Sequence, residues 1–330
     1  MIAVNRMPAK LLPLLLLAAC GLAGCMAIPF GVPRGRPGYP IVTSGYFTVE
    51  GGRLPYRLYP AQGKLRAVVL ALHGYTDSRD GWRMLAAVLN PAGIAIYAPD
   101  QSSFGATGNR GYWPGTDVLV GQARAMAVQL RAQYPGRKLV LMGESMGGAI
   151  GILLGASAEP PPVDAYVLSA PAVWGGAALN PVYRGALAMA DAVAPAKRMT
   201  GGVAHVTASD NRAALIDFGR DPLSILAPRL DNVAGLVGLM GAAQAACGRF
   251  DQPALILYGG HDEIIPAAAM KSCWEAMPER VTLAYYLADY HLIERDNERA
   301  VPDADIAGFI LGTGVVSGAP SAATVWLAGP

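Results

Sequence analysis

Along the first half of the chain, short charge-free apolar runs alternate with longer segments of helical period. The runs at 67–72, 94–98, 139–142 and 165–169 have strand length and no polar face, which marks buried strands. Between them, 81–90, 117–133 and the Ala-, Ile- and Leu-rich stretch from 149 to 154 read as helices. A hairpin precedes this series, with arms at 46–50 and 54–59 around Gly51-Gly52. Alternating strands and helices predict a mostly parallel sheet with helices on both faces. After residue 169 the alternation stops, and roughly eighty residues intervene before the next clear strand at 254–258, too many for one loop. Helical periodicity at 181–193 and 232–246 predicts a small helical cap inserted over the C-terminal edge of the sheet. A helix from near Pro266 and a strand at 281–287 complete the alternation. The segment after Leu311 is rich in Gly, Ala and Ser without an apolar period, and predicts a flexible tail over 312–330.

Composition changes this picture little. The hydrophobic fraction is 53% and the mean hydropathy +0.32, yet no apolar run of about 18 residues follows the N-terminus, because alanine and glycine carry much of that figure. With 26 basic and 24 acidic residues the chain has no electrostatic footprint for nucleic acid. The N-terminus changes more. Arg6 and Lys10 precede the apolar stretch 11–19, too short to span a bilayer but right for a signal sequence. Leu22-Ala23-Gly24-Cys25 follows and resembles the lipobox of bacterial lipoproteins; Leu17-Ala18-Ala19-Cys20 is a poorer match. That resemblance implies a signal peptide over 1–24 and a diacylglycerol, with palmitate-type chains, on Cys25. It also implies a body tethered to a membrane of the bacterial cell envelope, at the outer membrane or the periplasmic face. The bland alternative is an ordinary cleaved leader with incidental cysteines. Prolines and glycines over 27–40 make 25–44 an anchor and linker.

Candidate chemistry centres on Gly143-Glu144-Ser145-Met146-Gly147, which falls between the strand 139–142 and the following helix. A Gly-x-Ser-x-Gly turn in that context is a nucleophile elbow, whose strained backbone needs small residues on either side of the serine. By itself the pentapeptide is weak in a chain with 40 glycines. Three further features agree with it. The strand 67–72 runs into His73-Gly74-Tyr75, which resembles the loop after the third strand of an α/β-hydrolase; that resemblance implies the Tyr75 N–H as one oxyanion-hole donor, with the Met146 N–H as the second. The strand 254–258 runs into Gly259-Gly260-His261-Asp262-Glu263, which sets Asp262, in preference to Glu263, just past a strand end. The chain has four histidines; His73 reads as a structural residue of its loop, His205 lies in the cap and His261 beside the acid, leaving His291 as the base. The order Ser145, Asp262, His291 is that of the α/β-hydrolases.

Residues 45–311 thus resemble the serine α/β-hydrolases of the monoacylglycerol lipase and lysophospholipase group, whose elbow commonly reads Gly-His-Ser-Met-Gly-Gly. Here Glu144 replaces that histidine, and the loop from Asp100 to Gly108 lacks the Arg and His common in such hydrolases. The resemblance implies a core over 45–170 and 251–311 with a cap over 171–250. It also implies an acyl-enzyme mechanism without metal or organic cofactor, acting on a monoacylglycerol, a lysophospholipid or another ester. A short-chain or aryl esterase, an acyltransferase, and a non-catalytic lipoprotein binding an envelope partner are the competing readings. The charge-free stretch 233–243 reads as a buried cap helix, an acyl-binding wall or a membrane-facing patch. Cys247 precedes the strand 254–258 and Cys273 lies two turns into the helix after it, so the two return to the same end of the sheet. A disulfide there and two separate buried thiols are both compatible with that placement.

Overall fold

The computed structural model of the chain describes residues 42–175, 179–199 and 206–329. The leader, Cys20, Cys25, the linker up to residue 41, and His205 lie outside the described residues. An antiparallel hairpin opens the body, β1 (Thr43–Val49) pairing with β2 (Gly52–Tyr59). β3 (Ala67–Leu72), α1 (Arg83–Leu89), β4 (Ile94–Pro99), α2 (Thr116–Gln133), β5 (Lys138–Glu144), α3 (Met146–Gly155) and β6 (Ala165–Ser169) follow. The cap region holds α4 (Pro181–Val193), α5 (Arg212–Arg220) and α6 (Leu230–Ala246). The chain then returns through β7 (Ala254–Gly259), α7 (Ala267–Ala276) and β8 (Val281–Tyr286), and ends in α8 (Ala300–Leu311) and α9 (Ala319–Ala328).

All eight strands form one sheet in the order β1-β2-β4-β3-β5-β6-β7-β8, parallel from β4 to β8. The two-residue period of a strand divides its side chains between two cores. Val68, Leu70 and Leu72 of β3 pack with α2, α3, α6 and α7, whereas Val69 and Ala71 face Leu85 of α1 and Ile306 of α8 on the other side. The inner strands therefore carry no polar face, since helices cover both.

Two elements differ from the sequence expectation. The tail 312–330 is not flexible throughout: α9 packs along β8, with Trp326 stacked on Tyr285 at 5.0 Å and against Tyr258 and Trp274. Alanine supplies the helix propensity and Pro320 the first turn. Together they cover what would otherwise be an open sheet edge. In the cap, α5 begins at an Asn211 cap whose side chain accepts from the N–H groups of Ala213 and Ala214. The charge-free stretch inside α6 is a buried helix face: Val233, Leu236, Leu239, Met240 and Ala243 pack onto the core beside α3. Cys247, in the turn after α6, is joined to Cys273 of α7 by a disulfide with Cα atoms 5.4 Å apart. The bridge straddles β7.

Candidate active site

β5 hands over to α3 at Ser145 with φ 52° and ψ −110°, a conformation an L residue adopts only when its surroundings impose it. Here they do. A Cβ on Gly143 would strike the Gly147 backbone, one on Gly147 would strike the Leu72 carbonyl, and one on Gly148 would lie 2.8 Å from Pro171 Cα. The serine N–H donates to the Ser169 carbonyl at 2.9 Å, and its own carbonyl accepts from Ala172 N–H at 2.9 Å. The elbow is thus clamped between β3, β6 and α3.

The loop after β3 lies directly over it, a Cβ on Gly74 being 3.4 Å from the Ser145 Cβ. That contact brings Tyr75 to the serine, with Met146 at the start of α3 beside it. His73 fixes this loop without touching the chemistry. Gln101 N–H donates to its Nε2 at 3.1 Å, so its proton sits on Nδ1 and reaches the Gly74 carbonyl at 2.8 Å.

Asp262 and His291 arrive from the ends of β7 and β8. Asp262 Oδ1 accepts from Ile264 and Ile265 N–H at 2.8 and 2.9 Å, and its Oδ2 lies 2.8 Å from His291 Nδ1. Glu263 instead turns outward to the Thr207 N–H. The two loops are also tied by their backbones, His261 N–H donating to the Asp289 carbonyl at 2.9 Å. Because the carboxylate accepts at Nδ1, the His291 proton sits there and Nε2 carries the free lone pair. Nε2 is buried with no hydrogen-bond partner among the described residues. Burial works against the imidazolium, but the Asp262 carboxylate, with Glu144 and Glu294 behind it, outweighs burial and holds His291 above its ordinary value.

Ser145 and His291 line one small cavity of about 40 Å³, walled by Tyr75, Leu215, Phe218 and Ile264. Leu215 and Phe218 come from α5, so the cap forms its outer wall. A larger open groove, about 1000 Å³ between the β1–β2 turn, the 102–114 loop and α2, contains none of these residues. Among the described residues no group of three or more His, Cys, Asp or Glu side chains is arranged to hold a metal ion.

Beneath the elbow lies a feature the sequence reading missed. The Arg295 guanidinium reaches Glu144 at 2.8 Å and also Asp77, and all three are buried. Two signals pointed there: an acid in place of the usual elbow histidine, and the run Glu294-Arg295-Asp296 just after His291. Burial, then the nearby Glu144 carboxylate, pushes Glu294 up to about 7.

The family model described as "Serine aminopeptidase, S33" matches residues 63–298, more than half of the chain. Human monoglyceride lipase is 24% identical over 251 residues, covering 75% of this chain and 82% of the relative. Among solved structures, a soluble variant of monoglyceride lipase from Saccharomyces cerevisiae with a substrate analog superposes with a TM-score of 0.69 at 18% identity. That match covers 86% of this chain and 98% of the other. A carboxyl esterase from Bacillus coagulans in complex with glycerol gives 0.68 at 17% identity, covering 82% and 98%. By its sequence match and its eight-stranded sheet, the chain belongs to the serine aminopeptidase S33 family of α/β-hydrolases.

Proposed function

We propose that this serine ester hydrolase cleaves monoacylglycerols or lysophospholipids, using Ser145 as nucleophile, His291 as general base and Asp262 as its orienting acid. The carrying observation is the pairing of Asp262 with His291 Nδ1, which leaves Nε2 unpartnered at the cavity that also contains Ser145. In this reading His291 takes the serine proton as Oγ attacks the ester carbonyl, and Asp262 steadies the imidazolium. The Tyr75 and Met146 N–H groups carry the developing oxyanion, each worth roughly 3 kcal/mol of barrier. His291 then protonates the leaving alcohol, and water, activated in the same way, releases the acid. The apolar wall of Tyr75, Leu215, Phe218 and Ile264 suits an acyl chain.

A lipid anchor on Cys25 would hold the body at a membrane where such substrates reside. Among the described residues no helix is long and apolar enough to cross a membrane. The small cavity and the esterase neighbour support a second reading, hydrolysis of short-chain or aryl esters. A kcat/KM series on glycerol monoesters and nitrophenyl esters from two to sixteen carbons separates the two. A rise of about tenfold or more from short to long chains, near 1.4 kcal/mol, is the expected result. A maximum at two to four carbons contradicts the lipid reading and leaves the esterase.

A further inference from the structure

Three loops must hold their relative positions for the proposed reaction: the Tyr75 loop, the elbow, and the loop bearing His291. Each contributes one member of a buried ion cluster. Asp77 lies two residues after Tyr75, Glu144 immediately before Ser145, and Arg295 four residues after His291. Their relative exposures are 3%, 2% and 6%, so water does not substitute for any partner. One guanidinium nitrogen of Arg295 donates to both carboxylates, at 2.8 Å to Glu144 Oε2 and also to Asp77 Oδ2. The clearance around it is small: a Cβ on Gly81 would lie 2.6 Å from that nitrogen and 2.7 Å from Asp77 Oδ2. A Cβ on Gly74 would lie 2.8 Å from Glu144 Oε1. The Arg295 carbonyl in turn accepts from Asn211 of the cap at 2.8 Å, and Leu292 N–H donates to Ala208.

We infer that Arg295 is a positioning residue for the hydrolysis, a buried cation that locks the oxyanion loop, the nucleophile elbow and the base loop into one geometry through Asp77 and Glu144. The inference rests on the Ser145–His291–Asp262 reading. It goes beyond it by giving Glu144 and Arg295 a joint role that local motifs do not contain. A buried charge of either sign left unpaired is costly, so the cluster holds only with all three members present. One cation neutralises two carboxylates here; Glu294, which forms no ion pair among the described residues, is driven toward its neutral form by burial and then by Glu144.

The cluster also sets the field at the base. His291 is faced by Asp262 from the loop after β7, by Glu144 from the end of β5 and by Glu294 from its own loop, while Arg295 and Asp77 adjoin Glu144. Arg295 thus screens the base from Glu144. Removing it strips that screen and favours the imidazolium, moving the acid limb of the kcat/KM–pH profile to higher pH. Removing the Glu144 charge does the reverse. At an effective dielectric near 20, each shift is roughly one unit.

The test uses the full chain and four variants: Arg295→Met, Arg295→Lys, Glu144→Gln and the double variant Arg295→Met/Glu144→Gln. Fluorophosphonate labelling of wild type and Ser145→Ala runs in parallel. Arg295→Met is expected to lower kcat about 100-fold, the cost of displacing reacting groups by an ångström, with KM within about twofold. Its acid limb moves up, that of Glu144→Gln moves down, and the double variant returns near the wild-type limb while kcat stays low. Arg295→Lys keeps the charge and recovers the limb with part of the rate. A folded Arg295→Met with kcat within threefold and an unmoved limb overturns the inference. Should Arg295→Met not fold, Glu144→Gln decides alone, and an unmoved limb overturns it equally. Labelling lost in Ser145→Ala together with unmoved limbs sinks this inference and spares the triad; labelling kept in Ser145→Ala sinks both.

Discussion

Ser145 sits in a left-handed backbone conformation that costs an L residue on the order of 1–3 kcal/mol, and three glycines crowd its neighbours so closely that nothing larger fits. A serine with only a structural role has no need of such strain. The imidazole of His291, which lines the same cavity, is set by opposing terms: burial lowers its proton affinity, while Asp262 and the carboxylates behind it raise that affinity by more. The sign follows directly. A general base works when neutral, and a raised value in the folded protein keeps His291 protonated to higher pH. The acid limb of kcat/KM is therefore expected above the ordinary histidine value of about 6.5. A limb at or below that value, followed with a soluble nitrophenyl ester, contradicts the pairing. At this scale the gathering of Ser145, Asp262 and His291 at one place was legible because each sits in a short local pattern at a strand end. Arg295 was not legible. Its partners lie 218 and 151 residues away, and only folding brings them within one hydrogen-bond length.

At the scale of elements, buried strands were read within one or two residues because their runs are apolar on both faces. α9 was missed for the opposite reason: alanine-rich and short, it has no strong apolar period, and its stability comes from tertiary packing. Trp326 supplies that packing, ringed by Tyr258, Trp274 and Tyr285. Trp326→Ala is expected to cost roughly 3 kcal/mol in a denaturant titration with activity retained, since the ring is not among those lining the Ser145–His291 cavity. A change under about 0.5 kcal/mol would mean that α9 does not dock. The disulfide was half legible. Chain direction brought Cys247 and Cys273 to the same end of the sheet, but a choice between bridge and thiols needed the distance between them. Closing a loop of sequence separation 26, it stabilises the fold by about 3.5 kcal/mol in the chain-entropy model and braces β7, which leads to Asp262.

At the scale of the whole molecule, one sheet gathers residues from distant parts of the chain at its C-terminal edge, and the cap closes over them through α5. The proposed lipid tether adds location to this body. Cys25→Ser is expected to move the protein from the membrane to the soluble fraction or to block its maturation, and an unchanged membrane fraction rejects the tether while leaving the chemistry untouched. That chemistry is the central claim. Its most direct test is stoichiometric reaction of the folded protein with a fluorophosphonate, followed by mass mapping of the modified residue. One adduct per chain on Ser145, absent from Ser145→Ala and slowed about 10³-fold or more in His291→Ala, is the expected result. An adduct on another serine, or labelling that survives Ser145→Ala, would contradict the account.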